Sequence, residues 1–326
     1  MSSQSIALTD SIYRSFQASK KFTFKDQQTI TSLDYDDSGQ FLISTSANET
    51  IELFDAMKGK PLKTIGSKKY GCHLAKFTHN SKTCIYASTK LDHTIRYLQF
   101  KDNSFLRYFK GHTAQVTSLE VSPTHDIFLT SSLDDTIRLW DVRASNQQAL
   151  RPFKSPGIVS YDPSGLVVCI SSLQNSKAQL YDVRSLENDP FQEFSLPVGF
   201  QWNKVEFSND NKYILFSCTN GNHLIFDSFD CDIVAELSGM VAIPPSDFPY
   251  TGSASFTPDG KFVFSGNGNG TVSVWDLSNI NGKGVTIQPI CHLSGDNRPR
   301  NLIFNPKYLQ FATADEELFF WLPDSV

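Results

Sequence analysis

The stretch KGHTAQVTSLEVSPTHDIFLTSSLDDTIRLWDVR, residues 110 to 143, sets His112, Ser132, Asp134 and Trp140 within one short segment. Histidine, serine and aspartate are the parts of a nucleophilic triad, in which the imidazole takes the hydroxyl proton and the carboxylate orients the imidazole. That chemistry also needs an exposed nucleophile and donors for an oxyanion. The chain has no G-x-S-x-G motif, and no catalytic residue is assigned. Cys72, His73, His79 and Cys84 are residue types that bind zinc, but the adjacent Cys72 and His73 would point to opposite faces of a strand. Their spacing fits no common zinc pattern, so no metal is assigned. The run GNGNG, residues 266 to 270, lacks the Lys-Ser/Thr of a phosphate loop and reads as a hairpin turn. No cofactor is expected.

Composition narrows the field. The chain has 326 residues, 40% hydrophobic and 13% aromatic, with 26 Phe. It can form a large core, and its short apolar runs between Ser, Thr, Asn and Gly favour strands and tight turns. The net charge of -5 disfavours direct binding to nucleic acid. Six cysteines without a C-x-x-C pair signal neither a disulfide framework nor a zinc ribbon. No stretch approaches a membrane span in length. The opening MSSQSIALTD lacks the basic start and apolar centre of a secretory leader, so a reducing compartment is expected.

The opening segment has relatives along the chain. ITSLDYDDSGQFLISTSANETIELFD starts at residue 30 and GSASFTPDGKFVFSGNGNGTVSVWD at 252, and seven such copies can be counted. Each has a short alternating run, a turn such as Asp162-Pro163-Ser164-Gly165, a second apolar run, a polar turn and a third run. The third run ends at Phe54, Leu98, Trp140, Tyr181, Phe226, Trp275 or Trp321, positions 41 to 49 residues apart. A period near ~40–45 residues with a terminal Trp-Asp is the signature of propeller blades. Blades sandwiched in a ring bury both faces, which accounts for runs such as FVFSG and TIRLW. The expected fold is all-β, a seven-bladed β-propeller. The last copy ends after its third strand, so Phe22-Thr23-Phe24 is expected to supply the fourth and close the ring. The organisation expected is an N-terminal arm, 1–18, loose to about residue 12, and a propeller, 19–326.

These copies resemble WD repeats, and the resemblance covers nearly the whole chain. It implies that His112, Ser132, Asp134 and Trp140 form the structural tetrad of such a repeat. In that tetrad the Asp accepts from the imidazole, the imidazole contacts the Ser hydroxyl, and the hydroxyl contacts the indole N–H. Only the third copy keeps all four. The segments SKKYGCHLAKFTH (67 to 79), FLRYFKGH (105 to 112), QWNKVEFSNDNKYIL (201 to 215) and RNLIFNPKY (300 to 308) go beyond repeat grammar. They are similar to one subfamily, the fungal WD-repeat subunit shared by two nuclear assemblies. One is COMPASS, the complex that methylates lysine four of histone three. The other is the cleavage and polyadenylation factor with its phosphatase module.

The connections between copies hold Lys68, Lys69, Tyr70, Lys110, Lys154, Arg298 and Arg300, and in WD repeats such connections open on one rim of the ring. A locally positive rim suits acidic or phosphorylated peptides, although exposed cations often only solvate a surface. The resemblance implies contact with the phosphorylated tail of RNA polymerase II, and the expectation is that this rim reads phosphoserine. The longest connection, SGMVAIPPSDFPYTGS (238 to 253), presents Met240, Val241, Ile243, Phe248 and Tyr250 either as a partner-docking loop or as a plug over the rim.

The resemblance thus implies a non-catalytic nuclear scaffold. Its partners would be the methyltransferase and other subunits of COMPASS, and subunits of the cleavage and polyadenylation factor, including its phosphatase module. Its roles would lie in histone methylation, mRNA 3′-end formation and transcription termination, without direct nucleic-acid or membrane contact. The alternative is a substrate receptor of a ubiquitin ligase. Such receptors usually carry a further recruitment domain, for which residues 1 to 25 are too short.

Overall fold

The computed structural model describes residues 9–24, 29–172, 174–244, 251–280, 282–295 and 298–324. Its strands form seven sheets, each one blade of a ring. The first blade pairs Ile30–Tyr35, Phe41–Ser46, Thr50–Asp55 and Lys60–Gly66 in antiparallel order. The next five follow the same plan, and the seventh is built from Asn301–Phe304, Phe311–Ala314 and Glu317–Pro323. Among the described residues the chain is all-β apart from two short helical turns, Asp10–Arg14 and Val183–Ser185.

Burial explains why these runs are strands. Inner strands are covered on both faces, as in Thr83–Ala87, where all five residues are buried. Outer strands face water, as in Lys60–Gly66, where only Ile65 is buried. Among the described residues the apolar core divides into seven clusters, one at each seam between neighbouring blades. A single blade would leave two such faces wet, so stability belongs to the closed ring.

The head segment seals the ring over a longer span than the sequence suggested. The closing strand is Phe16–Thr23, not residues 22 to 24, and pairs antiparallel with the last strand from Phe16–Pro323 to Thr23–Glu317. The arm boundary at 18 is corrected accordingly. The expectation of a loose arm as far as residue 12 also fails over residues 9 to 12, because Asp10–Arg14 is a helical turn. It plants Tyr13, fully buried, against Phe262 of blade six at a ring separation of 3.7 Å. Residues 1 to 8 lie outside the described residues.

Polar ties cross the seams near the axis. One position recurs in the inner strands: Asp34, Lys76, Glu120, Ser160, Glu206, Ser255. The Lys76 ammonium lies 3.4 Å from Asp34 and 2.9 Å from Glu120, linking the first three blades. Burial alone would lower this ammonium, but the two carboxylates outweigh it and hold it charged. Burial raises the Asp34 carboxyl to about 6, against the pull of Lys76 and of the Phe77 amide that it accepts from. Glu206 accepts from the Ser255 hydroxyl and the Phe256 amide of the next blade.

Blade five has an addition that no repeat grammar announces. Val285–Ile287, within the long excursion of blade six, pairs in parallel with the outer strand Ile233–Leu237 and makes a fifth strand.

Candidate functional site

Four antiparallel strands return the chain to the side from which it started. Every crossing to the next blade therefore lies on one rim, together with the turns between second and third strands. The tetrad, the cations and the long connection singled out above sit on this rim or brace it.

The third blade holds its brace in a modified form. His112 Nδ1 lies 2.8 Å from Asp134 Oδ2, as expected. The hydroxyl at the centre, however, is that of Thr130, not Ser132: His112 Nε2 and the indole N–H of Trp140 each lie 2.8 Å from Thr130 Oγ1. Thr130 and Ser132 share one face of the strand Ile127–Ser132. Thr130 lies at mid-strand, between His112 and Trp140. Ser132, at the strand end, donates to the Ala114 carbonyl and accepts from the Asp134 amide, so it fixes the turn. Burial pushes the His112 imidazole below its ordinary range, against the pull of Asp134. Burial also opposes ionisation of Asp134, but the Thr136 hydroxyl, the Thr113 amide and His112 outweigh it and hold the carboxyl at about 2. Thr130 and Ser132 are both fully buried, whereas a nucleophile must be exposed to its substrate.

The rim cations divide into two groups. Lys68, Lys69, Lys110, Lys154 and Arg298 are exposed. Arg300 is half-buried and committed: its Nε lies 3.2 Å from Asp315, and it donates to the Pro244 carbonyl. Tyr70 is committed as well, its ring stacked 3.6 Å from the Arg96 guanidinium and 5.1 Å from the Lys69 ammonium. Of the expected set, Lys68, Lys69, Lys110 and Lys154 are exposed at the crossings from blade one to blade four, and Glu49, Asp92, Asp134 and Asp135 lie in the turns of the same rim.

The long connection is anchored over its described part. Met240 packs against the apolar seam between blades five and six. The Val241 amide donates to Asn267, and the Gly268 amide donates to the Val241 carbonyl. Val241 is exposed and Ile243 half-buried, while Phe248 and Tyr250 lie outside the described residues. The GNGNG run is thus a rim turn clamped by this loop. A Cβ at Gly268 would meet the Ala242 carbonyl oxygen at 2.1 Å, so close backbone approach explains that glycine.

A family model described as "WD domain, G-beta repeat" matches residues 18–55, 103–141 and 251–276. Over 315 residues, 95% of this chain and 94% of the relative, the chain is 43% identical to "COMPASS component SWD2" of Saccharomyces cerevisiae. The chain belongs to the SWD2 family of WD-repeat proteins. It is also 40% identical to "WD repeat-containing protein 82" of Drosophila melanogaster, over 98% of each chain. Identity to "Set1 complex component swd2" of Schizosaccharomyces pombe is 34%, over 90% of this chain and 92% of that one.

This SWD2-family chain has braces that its repeats disclosed only in part. In blade two Arg96 takes the place of the histidine, donating to Ser88 at 2.8 Å and to Asp92 at 2.7 Å. The signal was present: LDHTIRY aligns with LDDTIRLW, which pairs Asp92 with Asp134 and Arg96 with Arg138. His223 of blade five accepts from the Cys218 amide and contacts Ser265 of blade six at 2.7 Å, a strut across a seam. Of the residues weighed for zinc, Cys72 and Cys84 share the apolar seam between blades one and two. His79 lies on the opposite rim, 2.7 Å from Asp37. Among the described residues no group of three or more His, Cys, Asp or Glu could hold a metal ion. No described helix is long and apolar enough to cross a membrane.

Proposed function

We propose that this chain is a non-catalytic docking subunit of a COMPASS-type complex, working in the nucleus on the methylation of lysine four of histone three. The observation that carries this reading is the 43% identity to COMPASS component SWD2 along 95% of the chain. The fold supports it. A ring with seven seams offers a rigid body whose rims and outer edges are free for partners, while the methyltransferase supplies the chemistry. Affinity purification of the tagged chain from nuclei, with identification of its partners, tests the assignment. The expected result is recovery of a Set1-type methyltransferase; recovery of ubiquitin-ligase components alone would overturn it.

The reading extends to a second assembly, the cleavage and polyadenylation factor with its phosphatase module, and so to 3′-end formation and transcription termination. Its support is the likeness of segments such as residues 67 to 79 and 300 to 308 to the subfamily shared by the two assemblies, a likeness that goes beyond repeat grammar. Within this role Lys68, Lys69, Lys110 and Lys154 would receive phosphoserine of the RNA polymerase II tail, by charge-assisted bonds from exposed ammonium groups. Replacement of Lys68, Lys69 and Lys110 by Glu is expected to abolish binding of a phosphoserine peptide. Unchanged binding would remove this part of the proposal.

A further inference from the structure

Away from the rim discussed above, the opposite rim carries two phenyl rings in water. Phe191 is 59% exposed, and Phe229 is 89% exposed. Both belong to turns that lead into outer strands: Phe191 to Gln192–Ser195 of blade four, and Phe229 to Ile233–Leu237 of blade five. They stand at a groove of about 610 Å³ between the two blades, floored by Val167, Leu180 and Phe207. A phenylalanine left this far in water is not accounted for by packing, and apolar patches of this kind mark interaction sites.

The surroundings specify what would fill it. Asp230 lines the groove, and Glu187 and Asp189 precede Phe191 on an exposed turn. No Lys or Arg lines the groove among the described residues. Nearby, Lys283 is shared between Asp230 and Asp232, Arg184 is taken by Asp182, and Arg151 lies 3.6 Å from Asp189, so three cations stand against Asp182, Glu187, Asp189, Asp230 and Asp232. The flanks are therefore net acidic beside an apolar floor. The outer edge of blade four carries no further strand among the described residues, whereas the corresponding edge of blade five is covered by Val285–Ile287. That fifth strand shows within the molecule how an extended segment lies along an outer edge.

We infer that the groove between blades four and five docks an extended segment of a partner protein. The segment would place an aromatic or large aliphatic side chain between Phe191 and Phe229 and set Lys or Arg beside Asp189 and Asp230. The aromatic anchor would supply most of the binding, and the acidic flanks orientation and salt dependence. The site stands apart from the rim lysines and does not rest on which assembly holds the chain.

Three fluorescent synthetic nonapeptides test this by anisotropy. One has a central Phe-Leu pair flanked by Arg and Lys, one has Ser in place of the pair, and one has Glu in place of the flanks. The first alone is expected to bind the full chain. Phe191→Ser with Phe229→Ser is expected to weaken it at least tenfold. Asp189→Lys with Asp230→Lys is expected to weaken it several-fold and to flatten its salt dependence. Both variants change exposed side chains, and an unchanged urea midpoint confirms their folding; if one fails to fold, the comparison of peptides on the unaltered chain decides. No binding by the first peptide, equal binding by the Ser peptide, or equal binding to the double-Ser variant would overturn the proposal. So would a dimer in sedimentation that the Ser changes dissolve, since the occupant would then be a second copy.

Discussion

The guanidinium carbon of Arg96 lies 3.6 Å from the centre of the Tyr70 ring, with Tyr108 at 5.3 Å and Phe105 at 5.5 Å. A cation enclosed by aromatic rings and tied to Ser88 and Asp92 replaces, in blade two, the histidine brace of blade three. Tyr70 is therefore a supporting residue of the rim. Tyr70→Phe keeps the ring and is expected to leave stability within about 0.5 kcal/mol, whereas Tyr70→Ala costs about 1–3 kcal/mol. Arg96→Lys loses the planar fork and is expected to destabilise to a similar degree. Urea unfolding of the three variants checks the order; equal midpoints would contradict it.

Thr130 and Ser132 make a sharper comparison. Thr130→Val keeps shape but strips the partner from both His112 and Trp140, and an unpaired buried donor costs about 1–3 kcal/mol. Ser132→Ala removes one turn bond and is expected to cost about 0.5–1.5 kcal/mol. If Ser132→Ala proves the more damaging in denaturant unfolding, the brace is wrongly assigned.

The blade plan was legible in the sequence because each copy repeats the same burial problem, and seven third runs, six of them ending in an aromatic residue and one in Leu98, announce seven seams. The errors have local causes. Phe16–Thr23 is an outer strand whose middle is exposed on both faces, so its apolar pattern reduces to Phe16 and Phe22 and its start could not be read. Thr130 and Ser132 are two residues apart on one face, and only the position of Trp140 decides between them. Arg300 reads as a free cation until the fold brings Asp315 beside it from the following hairpin. The parallel addition of Val285–Ile287 depends on a contact between two blades and leaves no periodic mark.

Three buried histidines give the fold an acid limit. Burial lowers His73 to about 4 and His223 to about 3 from the ordinary 6.5, and it also lowers His112. A group lowered on folding contributes stability that is complete above its unfolded value and is lost as pH falls through 6.5 toward the folded value. Below 6.5, His73 and His223 each then withdraw roughly 1.4 kcal/mol per pH unit. Asp34, raised to about 6, acts in the opposite sense between its ordinary 3.8 and 6, and offsets one of the three. Urea midpoints are expected to fall steadily from pH 7 to pH 4.5, less steeply in His223→Gln. A flat profile would show that these rings are not held neutral.

The closing segment should count as core. Tyr13 and Phe16 are buried in the seam between blades six and seven. Tyr13→Ala and Phe16→Ala are each expected to cost about 3–5 kcal/mol, while Lys20→Ala, exposed on the same strand, stays within about 0.5 kcal/mol. Thermal unfolding distinguishes them, and tolerance of Tyr13→Ala would show that the head segment only rests on the ring.

The central claim is that this ring serves as the docking subunit of a COMPASS-type complex. The most direct test places the chain in Saccharomyces cerevisiae cells depleted of COMPASS component SWD2 and measures trimethylation of lysine four of histone three. Restored methylation, with the chain recovered alongside the methyltransferase, is the result expected. A folded, expressed chain that neither joins the complex nor restores the mark would contradict the account.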